Sequence, residues 1–166
     1  MYRITLSLLS AVLVAVIAYP LAAKDVVGWV EHVRVYPGGV VVKAKVDTGA
    51  TTSSLDCECI DPIIVDGEQW VSFSVQSESG KIVSMKKPVL RIAKIKRHFG
   101  EQQQRYVIKL GICLGSVYRE EEVTLVDRSG FNYPMLIGRS FLQKDFLVDP
   151  HDTFVTHPSC KDVPKE

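Results

Sequence analysis

The segment VVVKAKVDTGATTSSLD, residues 40–56, ends an alternating apolar pattern on an acid, a hydroxyl and a glycine. Apolar residues at every second position predict a strand over Val40–Val46 with one buried face. Asp47, Thr48 and Gly49 could form an ordinary surface turn, because all three are turn residues. They could equally place a catalytic carboxylate at the end of a rigid strand.

The chemistry that such an acid could perform is hydrolysis of a peptide bond. Two carboxylates about 3 Å apart share one proton, because both cannot ionise, and one then acts as base and the other as acid. The chain has one Asp-Thr-Gly, so a dyad requires a second copy in a twofold dimer. Asp127 and Asp149 are rival internal partners, but both lie in turn sequences and neither is followed by Thr-Gly.

The sequence around Asp47 predicts that the elements holding it are strands. Many short strands separated by turn signals predict an all-β sandwich or small barrel. The predicted strands are Val26–Val35, Val40–Val46, Ile63–Val65, Trp70–Val75, Ile82–Met85, Val89–Ile95, Tyr106–Leu114 and Val123–Val126. Only Arg139–Asp145 predicts a helix, of two turns at most, and no repeat or linker divides residues 24–166.

Composition excludes some classes of partner. The net charge of this 166-residue chain is +1, from 20 basic and 19 acidic residues, so no global field favours nucleic acid or a membrane surface. The short basic run from Lys94 to His98 alternates with apolar residues, and we interpret it as the solvent face of a strand. We therefore expect no nucleic-acid partner.

Residues 1–23 have the order of a secretory signal peptide. Arg3 is followed by a mostly apolar stretch and by Leu21-Ala22-Ala23, which predicts cleavage after Ala23. Leu21 is bulky for a residue near the cut, so an uncleaved membrane anchor is the alternative. We expect the mature domain to lie outside the cytoplasm, with membrane contact only if this segment is retained.

The cysteines suit an oxidising compartment. They are Cys57, Cys59, Cys113 and Cys160. Four cysteines allow three pairings, and the sequence does not choose among them; our preference is a bridge from Cys57 or Cys59 to Cys160 that ties down the tail. A zinc site drawn from Cys57, Cys59 and Cys160 with His151 and His157 has poor spacing, so we expect no metal and no cofactor.

A second motif near the C-terminus makes the interpretation of Asp-Thr-Gly-Ala more specific. Residues 135–142, MLIGRSFL, follow Asp-Thr-Gly-Ala by some ninety residues. Together the two motifs resemble the retropepsins, the single-domain relatives of pepsin that include the retroviral proteases. The stretch YVIKLGICLGSVYREEEVTLVDR between them resembles the penultimate hairpin of those proteins.

The resemblance is closer to a bacterial family of retropepsin-like proteins that are often labelled ATP-dependent zinc proteases. Its pattern is present in GWVEHV, AKVDTGATTSSLD, WVSF, LVDRSGFNYPMLIGRSFL and FLVDP, which cover about residues 27–155. The label does not fit the chemistry of this chain, since it contains neither HExxH nor a Walker A loop.

The resemblance implies a small closed acid-protease barrel with one short C-terminal helix. It implies a bacterial aspartic endopeptidase with Asp47 as catalytic residue, and the signal-peptide pattern predicts that it lies in the periplasm or the medium. Thr48 would brace the loop, Gly49 and Ala50 would support the carboxylate, and Gly138 would leave room behind the loop. The rival hypothesis is a non-catalytic module that binds peptides or a partner in the same groove. Members of the family often accompany ATP-grasp glutamate ligases, which hints at glutamate-rich peptides.

Two further details follow from the resemblance. The retroviral helix arginine has an acidic partner at the position of Thr51, so Arg139 must pair elsewhere, with candidates Asp56, Asp127 and Asp149, or bind a substrate carboxylate. We favour a structural arginine that holds the helix to the sheet. The flap over the site is expected at residues 91–106, with His98, Phe99 and Gly100 near its tip, and the hairpin at Ser77–Gly80 is the alternative. We expect His32, His98, His151 and His157 to be surface residues.

Overall fold

The computed structural model describes residues 23–95 and 103–164, with only the backbone of residues 58–60. Eleven strands and one short helix account for most of this part of the chain. They are β1 (Asp25–Tyr36), β2 (Val40–Val46), β3 (Ser53–Asp56), β4 (Glu58–Val65), β5 (Glu68–Gln76), β6 (Ile82–Pro88), β7 (Arg91–Ile95), β8 (Gln103–Leu114), β9 (Val117–Val126), β10 (Met135–Ile137), α1 (Arg139–Leu142) and β11 (Phe146–Thr153).

Six strands form a closed barrel in the order β1-β2-β10-β3-β9-β8, and the pairing of β1 with β8 closes it. Strand β11 extends the sheet in parallel beside β1, and β7 extends it antiparallel beside β8. A separate antiparallel sheet has the order β4-β5-β6. The predicted all-β barrel with one short C-terminal helix is confirmed.

Alternation of apolar residues builds the core of the barrel. Val40, Val42, Ala44 and Val46 are at most 5% exposed, whereas Lys45 between them faces solvent. The second sheet adds the inward residues of β5, including Phe73, which is 1% exposed. Burying a side chain of this size contributes about 1.5–3 kcal/mol, so the predicted faces of β2 and β5 anchor the fold.

The structure differs from the predicted elements near the C-terminus. Strand β9 begins at Val117, earlier than predicted, because its polar first half pairs with β8 while its side chains remain largely accessible. Helix α1 ends at Leu142, and from Phe146 the chain pairs with β1 as β11. The sequence did not predict this strand because Asp149-Pro150 is a turn signal. Proline is tolerated in β11 because this strand lies at the edge of the sheet.

The preferred disulfide pairing was wrong. Cys160 bonds to Cys113, with 6.0 Å between their Cα atoms, so the bridge does tie down the tail, but from β8. The thiol of Cys57 is free and buried between β3 and β4. Burial, together with the charge of Asp56, raises the pKa of Cys57 to about 12. The side chain of Cys59 lies outside the described residues.

A buried acid also holds the tail, which we define as residues 154–160. Glu31 on β1 is 0% exposed. Its Oε1 accepts the N–H groups of Gly28 at 2.7 Å and Val155 at 3.0 Å. Its Oε2 accepts the N–H of Thr156 at 3.1 Å and the hydroxyl of Thr156 at 3.2 Å. Four donors thus replace water around one carboxylate.

Residues 1–22 lie outside the described part, so signal-peptide cleavage stays a prediction. In the part of the chain that the structure describes, no helix has the length and apolar character needed to cross a membrane.

Candidate active site

Asp47 is the first residue after β2, and hydrogen bonds hold it in place. Its N–H donates to the carbonyl of Ile137 on β10 at 2.9 Å. Its Oδ1 accepts the N–H groups of Gly49 at 2.9 Å and Ala50 at 3.2 Å. Its side chain is 26% exposed, and Oδ2 lies 3.8 Å from the ammonium of Lys45. One carboxylate oxygen is therefore fixed by the backbone, and the other forms, among the described residues, only the ion pair with the ammonium of Lys45.

Glycines allow this geometry at two positions. A Cβ on Gly49 would lie 3.1 Å from the Oδ1 of Asp47, on the side where the backbone approaches the carboxylate. A Cβ on Gly138 would lie 2.7 Å from the carbonyl oxygen of Thr51, which is closer than van der Waals contact permits. β10 can thus run directly behind the loop that carries Asp47, as the sequence suggested.

Arg139 secures the same loop from the start of α1. Its Nη1 donates to the carbonyls of Thr48 at 2.8 Å and Gly49 at 2.9 Å. Its Nη2 donates to the hydroxyl of Thr51 at 3.1 Å. Thr51 occupies the position of the acidic partner in the retroviral proteases, and its hydroxyl accepts a hydrogen bond from Arg139 instead.

None of the acids that we considered as partners of Arg139 binds it. The carboxylate of Asp56 accepts the backbone N–H of Arg128 at 2.7 Å. Asp127 and Asp149 accept the N–H groups two residues further along the chain. The candidate acidic partners are therefore not its partners, because Arg139 donates to backbone carbonyls and a hydroxyl, contacts of the kind that the favoured structural role requires. These contacts also fit the turn roles expected of Asp127 and Asp149.

The remaining predicted residues lie as follows. Thr48 is exposed, and its carbonyl is held by Arg139. His32 is half-buried, contrary to expectation, since its ring stacks on Phe154 at 4.5 Å and its Nε2 contacts Glu78 at 2.9 Å. His151 and His157 are exposed. His98, Phe99 and Gly100 lie outside the described residues.

An open groove of about 670 Å³ runs beside the loop. Ala50 and Thr51 form one of its walls and strand β7 another, so the arms of the expected flap border the site. The alternative hairpin at Ser77–Gly80 is bound to the barrel elsewhere, because Glu78 contacts His32 and Lys43. The choice of flap remains a prediction, since the tip of the first hairpin lies outside the described part.

Arg128 also lines the groove, and the sequence analysis did not single it out. It is 8% exposed. Its Nε donates to the carbonyl of Tyr133 at 3.0 Å, its Nη1 donates to the hydroxyl of Ser54 at 3.0 Å, and the guanidinium lies 4.6 Å from the ring centre of Phe131. Burial lowers the pKa of Arg128; Asp56 opposes this, Arg105 adds to it, and Asp47 opposes it. Nothing in the turn sequence Asp-Arg-Ser-Gly signals that the arginine is buried.

A smaller cleft of about 280 Å³ lies on the other side of Arg128. Trp29, Phe131 and Tyr133 line it together with Lys45, whose ammonium neighbours Asp47. Arg128 thus borders both the groove and the cleft. Among the side chains that the structure describes, no group of three or more His, Cys, Asp or Glu could hold a metal ion.

Comparisons with known proteins agree with this geometry. A family model described as RimB-like, "Retropepsin-like aspartic endopeptidase RimB", matches residues 26–159. The chain is similar to the crystal structure of a protein of unknown function from Legionella pneumophila, with a TM-score of 0.69 and 31% identity over 81% of this chain and 100% of that chain.

Two curated relatives carry a different name. A "Probable alpha-L-glutamate ligase" of Shewanella pealeana is 39% identical over 70% of this chain and 26% of the ligase. A protein of the same name from Desulfotalea psychrophila is 33% identical over 77% of this chain and 28% of the ligase. The chain spans about a quarter of the length of these relatives, so most of each ligase lies outside the match.

Proposed function

The chain belongs to the RimB-like family of retropepsin-like aspartic endopeptidases, and from that premise we propose that it hydrolyses peptide bonds with Asp47 as its catalytic carboxylate. The observation that carries this proposal is the asymmetry of the carboxylate. Oδ1 is held by the N–H groups of Gly49 and Ala50, while the side chain is 26% exposed and no described residue donates a hydrogen bond to Oδ2. A general base must be fixed in position and yet reach a water molecule, and both conditions are met.

The second carboxylate comes from another copy of the chain. In this proposal a twofold axis brings two Asp47 side chains together, one proton is shared between them, and the pair activates a water molecule and protonates the leaving amine. The exposure of Thr48 and Gly49 supports an approach at this loop. Arg139, which holds the loop, is a positioning residue.

The substrate class follows from the relatives. Proteins named as glutamate ligases contain a segment similar to this chain. We propose that the peptidase acts on glutamate-rich peptide segments.

Cleavage by purified protein tests the proposal. Asp47→Asn is nearly isosteric but cannot accept a proton, so turnover of a glutamate-rich peptide library should fall by several powers of ten, with little change in thermal midpoint. Asp127→Asn is the matched control, because that acid is exposed and bonds only within its turn. If Asp47→Asn cleaves as fast as the control, the aspartic mechanism is wrong. Binding without cleavage by the unmutated chain would favour the binding module.

Mixing tests the dimer separately. When wild-type chains exchange freely with an equal amount of Asp47→Asn chains, only about a quarter of the dimers are fully wild-type. The activity per wild-type chain should therefore fall to about half. Activity that is unaffected by the inactive chain, together with a monomer in sedimentation, would contradict the shared dyad.

We also propose that the mature protein begins near Lys24 and is exported. A bridge between Cys113 and Cys160 supports an oxidising compartment. Mass spectrometry of the protein from its host should find chains that lack residues 1–23, and a full-length chain in the cytoplasm would contradict export.

A further inference from the structure

The groove beside Asp47 contains a buried cation whose direct contacts are all neutral. The guanidinium of Arg128 meets a carbonyl, a hydroxyl and an aromatic face. Of the ion pairs between described side chains, none includes Arg128. The carboxylates of Asp56 and Asp47 act on the guanidinium electrostatically, but neither accepts a hydrogen bond from it, and Asp56 binds the backbone N–H of Arg128 instead.

Burying a charge without a counter-ion in direct contact is costly, so buried charges in proteins are usually paired. Arginine retains its proton under all ordinary conditions, so Arg128 cannot avoid the cost by becoming neutral. An arginine kept in such a position therefore points to an anion that is supplied from outside the chain.

A second guanidinium strengthens this inference. Arg105 of β8 also lines the groove, where its Nε and Nη2 donate to the side chain of Gln103 at 3.1 and 2.8 Å. It lies close enough to Arg128 for the two like charges to repel each other. Lys94 of β7 adds positive charge, whereas the charge of Arg91 is paired with Glu122. No acidic side chain of the described residues lines this groove.

We propose that Arg128 and Arg105 form a carboxylate-binding site that selects an acidic side chain of a peptide lying in the groove. The site shares its walls with Ala50 and Thr51, so the bound side chain would sit within a few residues of a bond presented to Asp47. This assignment deepens the proposed peptidase function, on which it rests, by naming the residues that determine specificity. Guanidinium groups suit this role because their planar donors match a carboxylate.

Binding to full-length Asp47→Asn protein tests the site without requiring catalysis. The probes are a capped tetraglutamate peptide and its capped tetraglutamine counterpart, measured by titration calorimetry. A hydrogen bond to a charged group is worth enough to predict about 10- to 100-fold tighter binding of tetraglutamate. Arg128→Leu should abolish that preference and leave tetraglutamine binding unchanged.

Arg91→Gln is the matched control. Arg91 lines the same groove, but it is exposed and already paired with Glu122 at 2.6 Å, so its removal should change the preference by less than about 3-fold. If Arg128→Leu does not fold, Arg105→Gln provides the decisive variant, because Arg105 is only partly buried. It should lower the preference by at least about 10-fold.

Several results would overturn the proposal. They are an equal affinity for the two capped peptides, a preference that survives loss of Arg128 or Arg105, and a loss of preference equally large in Arg91→Gln. Tetraglutamine with a free C-terminus tests the other source of a carboxylate, and binding it as tightly as capped tetraglutamate would also contradict side-chain selection. If the preference is found but the unmutated chain cleaves nothing, the peptidase proposal fails and the carboxylate site stands.

Discussion

Replacing Glu31 with glutamine should release the tail from the barrel. The substitution keeps the shape of the side chain, but it turns one of two acceptor oxygens into a donor. If the amide oxygen keeps the N–H groups of Gly28 and Val155, the new NH₂ group faces Thr156. The hydroxyl of Thr156 can rotate to accept a hydrogen bond from it, but the N–H of Thr156 loses its only acceptor on Glu31.

The magnitude follows from these contacts. One buried N–H without a partner costs about 1–3 kcal/mol. The remaining bonds lose their charge assistance, and the smaller cost of burying a neutral amide offsets that loss in part. We therefore expect the free energy of unfolding to fall by about 1–3 kcal/mol, which urea denaturation measures. The amides of Val155 and Thr156 should also exchange faster with deuterium, because the tail opens locally.

Glu120→Gln provides the control. Glu120 pairs with Lys109 at 3.1 Å, but its side chain is 52% exposed, and exposed pairs contribute about 0–1 kcal/mol. If Glu31→Gln costs no more than this control, and the exchange of Val155 and Thr156 is unchanged, the carboxylate does not hold the tail as we have argued.

Three other substitutions test the remaining features. Gly138→Ala should destabilise the fold by about 1–3 kcal/mol in urea, because its Cβ would meet the carbonyl of Thr51 at 2.7 Å; an unchanged midpoint would show that the loop yields freely. Cys160→Ser should lower the free energy of unfolding by about 4 kcal/mol, since the bridge to Cys113 spans 47 residues, and a loss under 1 kcal/mol would contradict this. In the folded protein the pKa of the Cys57 thiol is about 12, whereas its ordinary value is 9.0. Because only the unfolded chain loses this proton between those values, the free energy of unfolding should fall as the pH rises above 9, by at most about 1.4 kcal/mol per pH unit. Cys57→Ala should lack this part of the pH dependence.

The sequence predicted the features that depend on local pattern. Alternation within β2 and β5 set their buried faces, and the Asp-Thr-Gly and Ile-Gly-Arg segments came together as their resemblance to retropepsins implied. Gly138 was expected to permit close approach, and a Cβ there would lie 2.7 Å from the carbonyl oxygen of Thr51. These features were accessible because each is encoded within a few adjacent residues.

The missed features depend on contacts between distant residues. Arg128, Glu31 and the partner of Cys160 are each determined by segments far apart in the chain, and no periodicity reveals which polar residue is buried. Arg139 illustrates the same limit, since a structural role was favoured for it but its acceptors, the carbonyls of Thr48 and Gly49, were not foreseen. Strand β11 was missed for a different reason, because its proline and acids mask a strand that lies at a sheet edge.

The order of the strands has a consequence for behaviour at high concentration. Closure of the barrel leaves only β11, β7, β4 and β6 at the ends of the described sheets, and exposed strand edges are where chains add to one another and aggregate. Each of these strands carries a residue that discourages such growth, namely Pro150, Lys94, Pro62 and Lys87. Proline has no N–H to offer an incoming strand, and lysine would be desolvated by it. Concentrated protein should therefore resist fibril formation, and copies of the chain should meet through loops rather than by extending a sheet.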